Sequence, residues 1–485
     1  MTRAEFAPDL KLTTMTDEIF QCTMRIERPA AEVFAWHERP GAFARLNPPW
    51  ERVEVTAHHG GIRDGARVTL RTKVGPAWAG WEILHRDYIA GRQFRDVQVH
   101  GPFAKWEHLH LIEPAGPTAC VLTDEIHYRL PGGVVGRWGG AGFVRRKLER
   151  TFAYRHAVTK ADLERAQPGE KKRVLISGGS GLIGRALTAF LQTQGHEVRR
   201  LVRSQPQGRD EFRWHPAKGE IDPAALAGVD AVVNLSGENI AGGRWTAARK
   251  AEILASRLES TRTLASAIAA LAPAARPEVL VSASGVGFYG ERGDDPMGDE
   301  EKRGTGFLAD VVEAWEREAL ALEKLGLRTV CVRTGVVLTP AGGALAKMAP
   351  IFRAGLGGRI GSGRQWMSWI GPDDLLAIYT RAICDRSWRG AFNAVAPGPV
   401  TNAEFAATLG RVLHRPAVLP LPAWALRFIF GQMGEETVLA SVRAVPGKLE
   451  QTGFSFRQPS LEGALRHVLG LQTDGSGARA PRLHP

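Results

Sequence analysis

The stretch RVLISGGSGLIGRAL, residues 173–187, constrains this chain more than any other. A short apolar run, Val174-Leu175-Ile176, leads into Gly178, Gly179, Gly181 and Gly184. A helical pattern follows at once, with Leu182, Ile183, Ala186, Leu187, Phe190 and Leu191 on one face. Gly195 ends it, and HEVRRLV, 196–202, reads as the next strand. A buried strand, a glycine turn, a helix and a second strand within about thirty residues form one half of a mononucleotide-binding unit.

The glycines permit the tight turn and let backbone N–H groups approach a pyrophosphate, while the helix N-terminus adds its partial positive charge. Two spacings fit, Gly179-x-Gly181-x-x-Gly184 and Gly178-x-x-Gly181-x-x-Gly184, and both contain Gly181 and Gly184. The end of the second strand selects the cofactor. An acid there would bond the ribose 2′-hydroxyl of NAD. This strand ends in Arg203-Ser204, and the nearby acid, Glu197, stands at its start. A guanidinium and a hydroxyl suit a 2′-phosphate, so the expected cofactor is NADP(H). Farther on, DAVVNLSGENI supplies another buried strand, whose end at Ser236-Gly237 leaves room for adenine and ribose. VLVSASGVGFYG, 279–290, and RTVCVRTGVVL, 328–338, are further strands, and Ala-rich helical segments separate them. That alternation predicts a doubly wound parallel sheet of the Rossmann type.

At 485 residues the chain is too long for one core. QPGEKK, 167–172, divides two textures. Before it, Trp, His and Phe are frequent and short alternating segments dominate. FQCTMRIER reads as a strand, PAAEVFAWH as a short helix, and ARVTLRTKV, FRDVQVHG, WEHLHLIE and LTDEIHYRL as strands. Residues 143–165, with Val144, Leu148 and Phe152 four apart, form a long amphipathic helix. This is the pattern of an α+β helix-grip fold. The expected organisation is an N-terminal arm (1–17), a helix-grip domain (18–166), a linker (167–172), a Rossmann domain (173–415), a C-terminal segment packing on it (416–470) and a disordered tail (471–485).

A net charge of +12 would suit anionic partners, but the basic residues are spread thinly, with no zinc-finger, zipper or RNA-binding signature. No nucleic-acid partner is expected. Cys22, Cys120, Cys331 and Cys384 are far apart in sequence and form no CxxC motif. His108 and His110, two apart on a strand, share a face. The sequence supplies no complete ligand set around them, so no metal is expected; they line a polar part of a cavity or face water. MTRAEFAPDLKL lacks a signal-peptide core, and no apolar run reaches the ~18 residues of a membrane span. A cytoplasmic protein is expected.

Residues 18–165 resemble, by texture, the START-like (SRPBCC) polyketide-cyclase-type lipid-binding superfamily, which implies an apolar ligand between sheet and helix. NLSGENIAGGRWT, SASGVGFYGERGD, GRQWMSWI and NAVAPGPVTNAEFAATLG resemble an atypical branch of the short-chain dehydrogenase/reductase superfamily, the NAD-dependent epimerase/dehydratase group. RAVPGKLEQTGFSFRQPSLEGAL resembles the small C-terminal domain of unknown function found in that group. The resemblance implies cofactor contacts from Gly178, Gly181, Leu182, Ile183, Gly184, Arg203, Leu235, Ser236 and Arg257, with Val336 facing the nicotinamide. Ser204 and Gly237 join them from the reading above. Where the group usually reads SWIHIDDL, this chain has SWIGPDDL, 368–375, so a role for that histidine does not carry over.

Reductases of the extended type use Tyr-x-x-x-Lys, two residues on one helical face that relay a proton. The five tyrosines, 88, 128, 154, 289 and 379, are followed four residues later by Arg92, Gly132, Val158, Gly293 and Ile383, so the pair does not exist here. Ser284 at a strand end, Tyr289 in GFYG and Asp310 on the helix expected to carry the pair are the remaining candidates for proton transfer. Three function classes follow. They are an NADP(H)-dependent oxidoreductase or epimerase acting on a small molecule with other acid/base groups, a non-catalytic NADP(H)-dependent sensor, and a scaffold.

Overall fold

A computed structural model describes residues 17–75, 77–166 and 169–471. The expected arm up to Thr16, the linker residues Gln167 and Pro168, and the expected tail from residue 472 lie outside the described residues. The chain divides into two compact units. Among the described residues, the first comprises 17–38 and Glu51–His156, and the second comprises Arg39–Trp50 and 157–471.

In chain order, the first part contains β1 (Glu18–Ile26), α1 (Ala30–Glu38), α2 (Ala42–Leu46), β2 (Val53–His59), β3 (Arg67–Val74), β4 (Ala77–Ile89), β5 (Gln93–His100), β6 (Lys105–Pro114), β7 (Cys120–Arg129) and α3 (Gly133–Glu164). The seven strands form one antiparallel sheet in the order β1-β7-β6-β5-β4-β3-β2. Period-two burial is clearest on β6, where Trp106, His108, His110 and Ile112 are buried and their neighbours are not. Phe20, Trp106, Ile126 and Tyr128 on that face pack against Leu148 and Phe152 of α3. This is the expected helix-grip arrangement. α3 begins at Gly133, well before the expected start at Phe143. Gly136, Gly139, Gly140 and Gly142 weaken the local helix signal, and a Cβ at Gly140 would sit 3.3 Å from Leu130 Cδ1. β2 and β4 were not expected either. β4 departs from simple alternation, with pairing shifts at Glu82/Ile83 and Arg86/Ile89.

The second unit continues with β8 (Arg173–Ser177), α4 (Leu182–Thr193), β9 (Glu197–Val202), β10 (Glu211–His215), β11 (Glu220–Ile221), β12 (Ala231–Asn234), α5 (Ala247–Ala269), β13 (Val279–Gly285), β14 (Pro296–Met297), α6 (Phe307–Leu320), β15 (Arg328–Thr334), β16 (Val336–Val337), α7 (Gly343–Arg353), β17 (Trp366–Met367), β18 (Trp369–Ile370), α8 (Pro372–Cys384) and β19 (Gly390–Ala394). Eight strands form the main sheet, β11-β10-β9-β8-β12-β13-β15-β19, parallel except for β10–β11. Its central strands β8, β12, β13 and β15 are largely apolar and buried because both faces are covered, whereas β9 and β10 toward the edge carry charged residues. Val174, Ile176, Val233, Val281 and Val332 pack on α4 and α8. The alternate residues Leu175, Val232, Leu280 and Cys331 pack on Leu264 and Ile268 of α5 and Ala319 of α6. The doubly wound sheet is as the sequence predicts. Its order reverses between β8 and β12, which opens a crevice at their carboxyl ends.

Candidate functional site

The glycine turn sits at that switch point. Gly178 has φ +71°, a conformation favouring glycine, and a Cβ there would lie 2.7 Å from the carbonyl of Leu235. A Cβ at Gly184 would overlap Gly178 O and approach Gly179 Cα to 2.7 Å. Gly181 N donates to Gly178 O at 3.0 Å, closing the turn. Gly181 is also the N-cap of α4, and no side chain caps that end. The first helical amides, from Leu182 on, therefore face the crevice with no intrahelical acceptor. A backbone concavity of this kind fits a pyrophosphate, and side chains at Gly178 or Gly184 would fill it.

The far wall of the crevice is the end of β12. Asn234 is fully buried and was missed in the sequence. Its Oδ1 accepts from Ser177 Oγ at 2.6 Å and from Ser236 N at 3.2 Å, and its Nδ2 donates to Thr261 Oγ1 at 3.0 Å. It thereby fixes Leu235, Ser236 and Gly237 beside the glycine turn. Arg257 on α5 lies under this loop; a Cβ at Gly237 would come within 3.1 Å of its Cζ. Its guanidinium donates to Glu238 O and Ile253 O and stacks 5.1 Å from the Trp315 ring centre. Burial lowers its pKa to about 10. No ion pair joins it to a carboxylate among the described residues. Arg203 and Ser204, immediately after β9, are exposed and make no hydrogen bond among the described residues. Glu238 across the loop is held low chiefly by Arg249, with Arg203 adding to the field. Val336 on β16 is hydrogen-bonded to Ser368 O through its amide at 2.8 Å. Leu182 touches the next loop, where a Cβ at Gly342 would lie 3.0 Å from its Cδ2.

The three proton-transfer candidates do not converge. Ser284 and Tyr289 belong to one buried polar network at the ends of β13 and β15. Ser284 Oγ donates to Glu316 Oε1 at 2.6 Å. Arg333 grips the same carboxylate twice, Nε to Oε1 at 2.8 Å and Nη2 to Oε2 at 2.7 Å. Arg333 Nη1 donates to the Tyr289 hydroxyl at 3.0 Å, and that hydroxyl lies 2.8 Å from both Asn393 Oδ1 and Gly298 O. Burial raises the Tyr289 pKa. Burial opposes the charge of Arg333, but Glu316 outweighs it and holds the guanidinium above its usual pKa. Asp310, in contrast, is exposed on the first turn of α6 and pairs with Arg303. The α6 N-terminus has no capping side chain of its own; Glu436 supplies one, accepting from Phe307 N at 3.2 Å and Leu308 N at 2.9 Å. Neither Glu316 nor Glu436 stood out in the sequence. On one helix Glu316 looks like an ordinary solvated acid, and only packing shows its partners.

A parallel sheet with a reversed order, a glycine turn at the reversal and an arginine-lined exit define a doubly wound nucleotide-binding oxidoreductase-type fold, joined to an antiparallel helix-grip domain. Comparison with known proteins narrows this. Residues 174–393 match the NAD dependent epimerase/dehydratase family, 18–164 the polyketide cyclase/dehydrase and lipid transport family, and 421–468 a domain of unknown function, DUF1731. An epimerase family protein of Mycobacterium tuberculosis is 45% identical over 295 residues, 61% of this chain and 97% of that protein. The human epimerase family protein SDR39U1 is 39% identical over 305 residues, 61% of this chain and 99% of its own length. The chain belongs to the epimerase family. Among solved structures, one described as a nucleoside-diphosphate sugar epimerase from Corynebacterium glutamicum shares 33% identity at a TM-score of 0.77, covering 94% of this chain and 91% of that one. Human SDR39U1, solved with NADPH, shares 37% identity at a TM-score of 0.56, covering 61% of this chain and 98% of that one. No helix among the described residues is long and apolar enough to cross a membrane.

Proposed function

We propose that the chain is an NADP(H)-dependent oxidoreductase or epimerase of the atypical short-chain type, working without a Tyr-x-x-x-Lys pair. The observation that carries the cofactor assignment is the pairing of the glycine cradle with cations lacking carboxylate partners: Arg203 at the exit of β9 and Arg257 under the β12 loop. The NADPH in the human relative supports it. Gly178, Gly181 and Gly184 with the amides of Leu182 and Ile183 would hold the pyrophosphate. Arg203 and Ser204 would hold the 2′-phosphate. Leu235, Ser236, Gly237 and Arg257 would wall the adenosine side, with Val336 on the nicotinamide side. When bound, the cofactor supplies or accepts a hydride. A hydride step at a carbonyl also needs a hydrogen-bond donor to the oxygen. Ser284, near the carboxyl end of β13, would supply this donor by turning its proton from Glu316 to the substrate, with Glu316 keeping both bonds from Arg333. The match of residues 18–164 to a lipid-transport family supports an apolar ligand in the first unit.

A second reading, a non-catalytic NADP(H)-dependent sensor, is favoured by one observation: the Ser284 and Tyr289 hydroxyls are both engaged within the protein. The two readings separate on stereospecific label transfer. With NADPH deuterated at C4, incubation with a panel of nucleoside-diphosphate sugars and carbonyl compounds should move deuterium from one face of the ring. Retention of label across the panel, with NADPH tightly bound, would favour the sensor.

A further inference from the structure

His108 and His110 share a face of β6, and no sequence spacing offers them further ligands. The sheet register supplies these. His85 on β4 stands opposite Asp96 on β5, and Asp96 opposite His108. One row along, His110 stands opposite Asp124 on β7, and Asp124 opposite Cys22 on β1. Opposed residues and residues two apart point to the same side of a sheet, so both rows project from one face. His108 and His110 are 2% and 7% exposed, so they do not face water.

Asp96 is the focus of the first row. Its Oδ1 lies 3.1 Å from His85 Nε2, and its Oδ2 lies 3.4 Å from His110 Nε2 and 3.8 Å from His108 Nδ1. The other nitrogen of each ring is held elsewhere. His108 Nε2 and His110 Nδ1 each lie 2.8 Å from Asp124 Oδ1, and His85 Nδ1 lies 3.4 Å from Ala66 O. When each ring donates one N–H to those acceptors, its other nitrogen is aimed at Asp96, where an incoming metal ion would take the place of a proton. Imidazoles oriented by a carboxylate or a carbonyl behind them are the usual surroundings of a protein-bound metal. Asp96 Oδ1 is shut off from solvent and has no well-aligned donor. The buried carboxylate of Asp124 and the largely covered one of Asp96 cost desolvation energy that an apolar core would avoid.

We infer that Asp96, His108 and His110 bind one divalent first-row transition-metal ion, while His85, on the other Asp96 oxygen, orients that carboxylate. Imidazole nitrogens with one carboxylate select zinc, iron, cobalt or nickel over magnesium or calcium. Ligand atoms about 2.0–2.2 Å from zinc require only small closure of the separations observed. Asp124 acts as the orienting carboxylate, and Cys22, 3.8 Å from His156 Nε2, stands outside the set.

The test uses the full chain, stripped with chelator and titrated with Zn(II) or Co(II). One equivalent should bind and raise the melting temperature. Co(II) should give visible bands of a nitrogen/oxygen site, without the near-ultraviolet band of a thiolate ligand. Asp96→Asn and His110→Gln should each lose binding by more than about 100-fold, and Asp124→Asn by about 10- to 100-fold. Melting of each variant in chelator checks its fold. If the variants do not fold, the wild-type stoichiometry and Co(II) spectrum decide alone. Failure of folded wild-type protein to bind zinc at tens of micromolar would overturn the inference and leave protons as the occupants. A thiolate band lost in Cys22→Ala would overturn it in favour of Cys22, Asp124 and His156.

Discussion

Glu316→Gln tests the network beneath the crevice. Glu316 and Arg333 are 7% and 6% exposed at their side chains and joined by two hydrogen bonds, so the charge on Arg333 has one buried partner. Removing that charge leaves the guanidinium facing the Tyr289 hydroxyl and Asp299 O, both neutral. Breaking one side of a buried pair costs about 3–5 kcal/mol. For a unit of this size, about 2 °C of melting temperature accompanies each kcal/mol, so the transition should fall by roughly 6–10 °C. Replacing both partners with apolar residues, Glu316→Met with Arg333→Leu, removes the stranded charge and should recover most of that loss. Differential scanning calorimetry of the single and double variants measures both. A single variant melting within about 1 °C of the parent, or a double variant as unstable as the single, would refute the claim that charge pairing holds α6 to β15.

Three further substitutions have expected outcomes. Gly184→Ala forces a Cβ onto Gly178 O; overpacking of about 1–3 kcal/mol should weaken NADPH binding roughly five- to 100-fold, read by fluorescence titration. His196 accepts a hydrogen bond from Lys172 N at 3.1 Å, and burial, with Lys171 nearby, lowers its pKa to about 4. The unfolded chain therefore takes the proton first, so the stability contributed by His196 is present above pH ~6.5 and is lost as pH falls toward about 4. His196→Gln should flatten the melting-temperature profile across that window, and an unchanged slope would remove His196 from the account. Ser284→Ala should lower turnover by about 100-fold and leave NADPH affinity unchanged, in whichever substrate assay shows label transfer.

The glycine turn, the strand–helix alternation and the missing Tyr-x-x-x-Lys pair are local in sequence, and each was legible there. The helix-grip strands were legible where burial alternates, as on β6, and not on β4, whose pairing shifts break the period. The start of α3 was hidden because its four glycines, Gly136, Gly139, Gly140 and Gly142, carry little helical preference. The side-chain partners were the least visible part. Glu316 meets Ser284 and Arg333 only when β13 and β15 lie side by side. Asp96 meets His108 only through antiparallel register. Asn234 reads as the polar end of an apolar strand, and its three hydrogen bonds appear only with β8 and α5 in place.

The central claim is that the switch-point crevice takes NADP(H) through its glycine turn and Arg203. Dissociation constants for NADPH and NADH, measured by titration at one ionic strength on the parent chain and on Arg203→Asp, test it most directly. A charge-assisted contact to the 2′-phosphate contributes about 1.5–3 kcal/mol, so the parent should prefer NADPH by roughly 10- to 100-fold and the variant should reverse that order. Equal affinities in the parent, or a preference that Arg203→Asp leaves intact, would contradict the account.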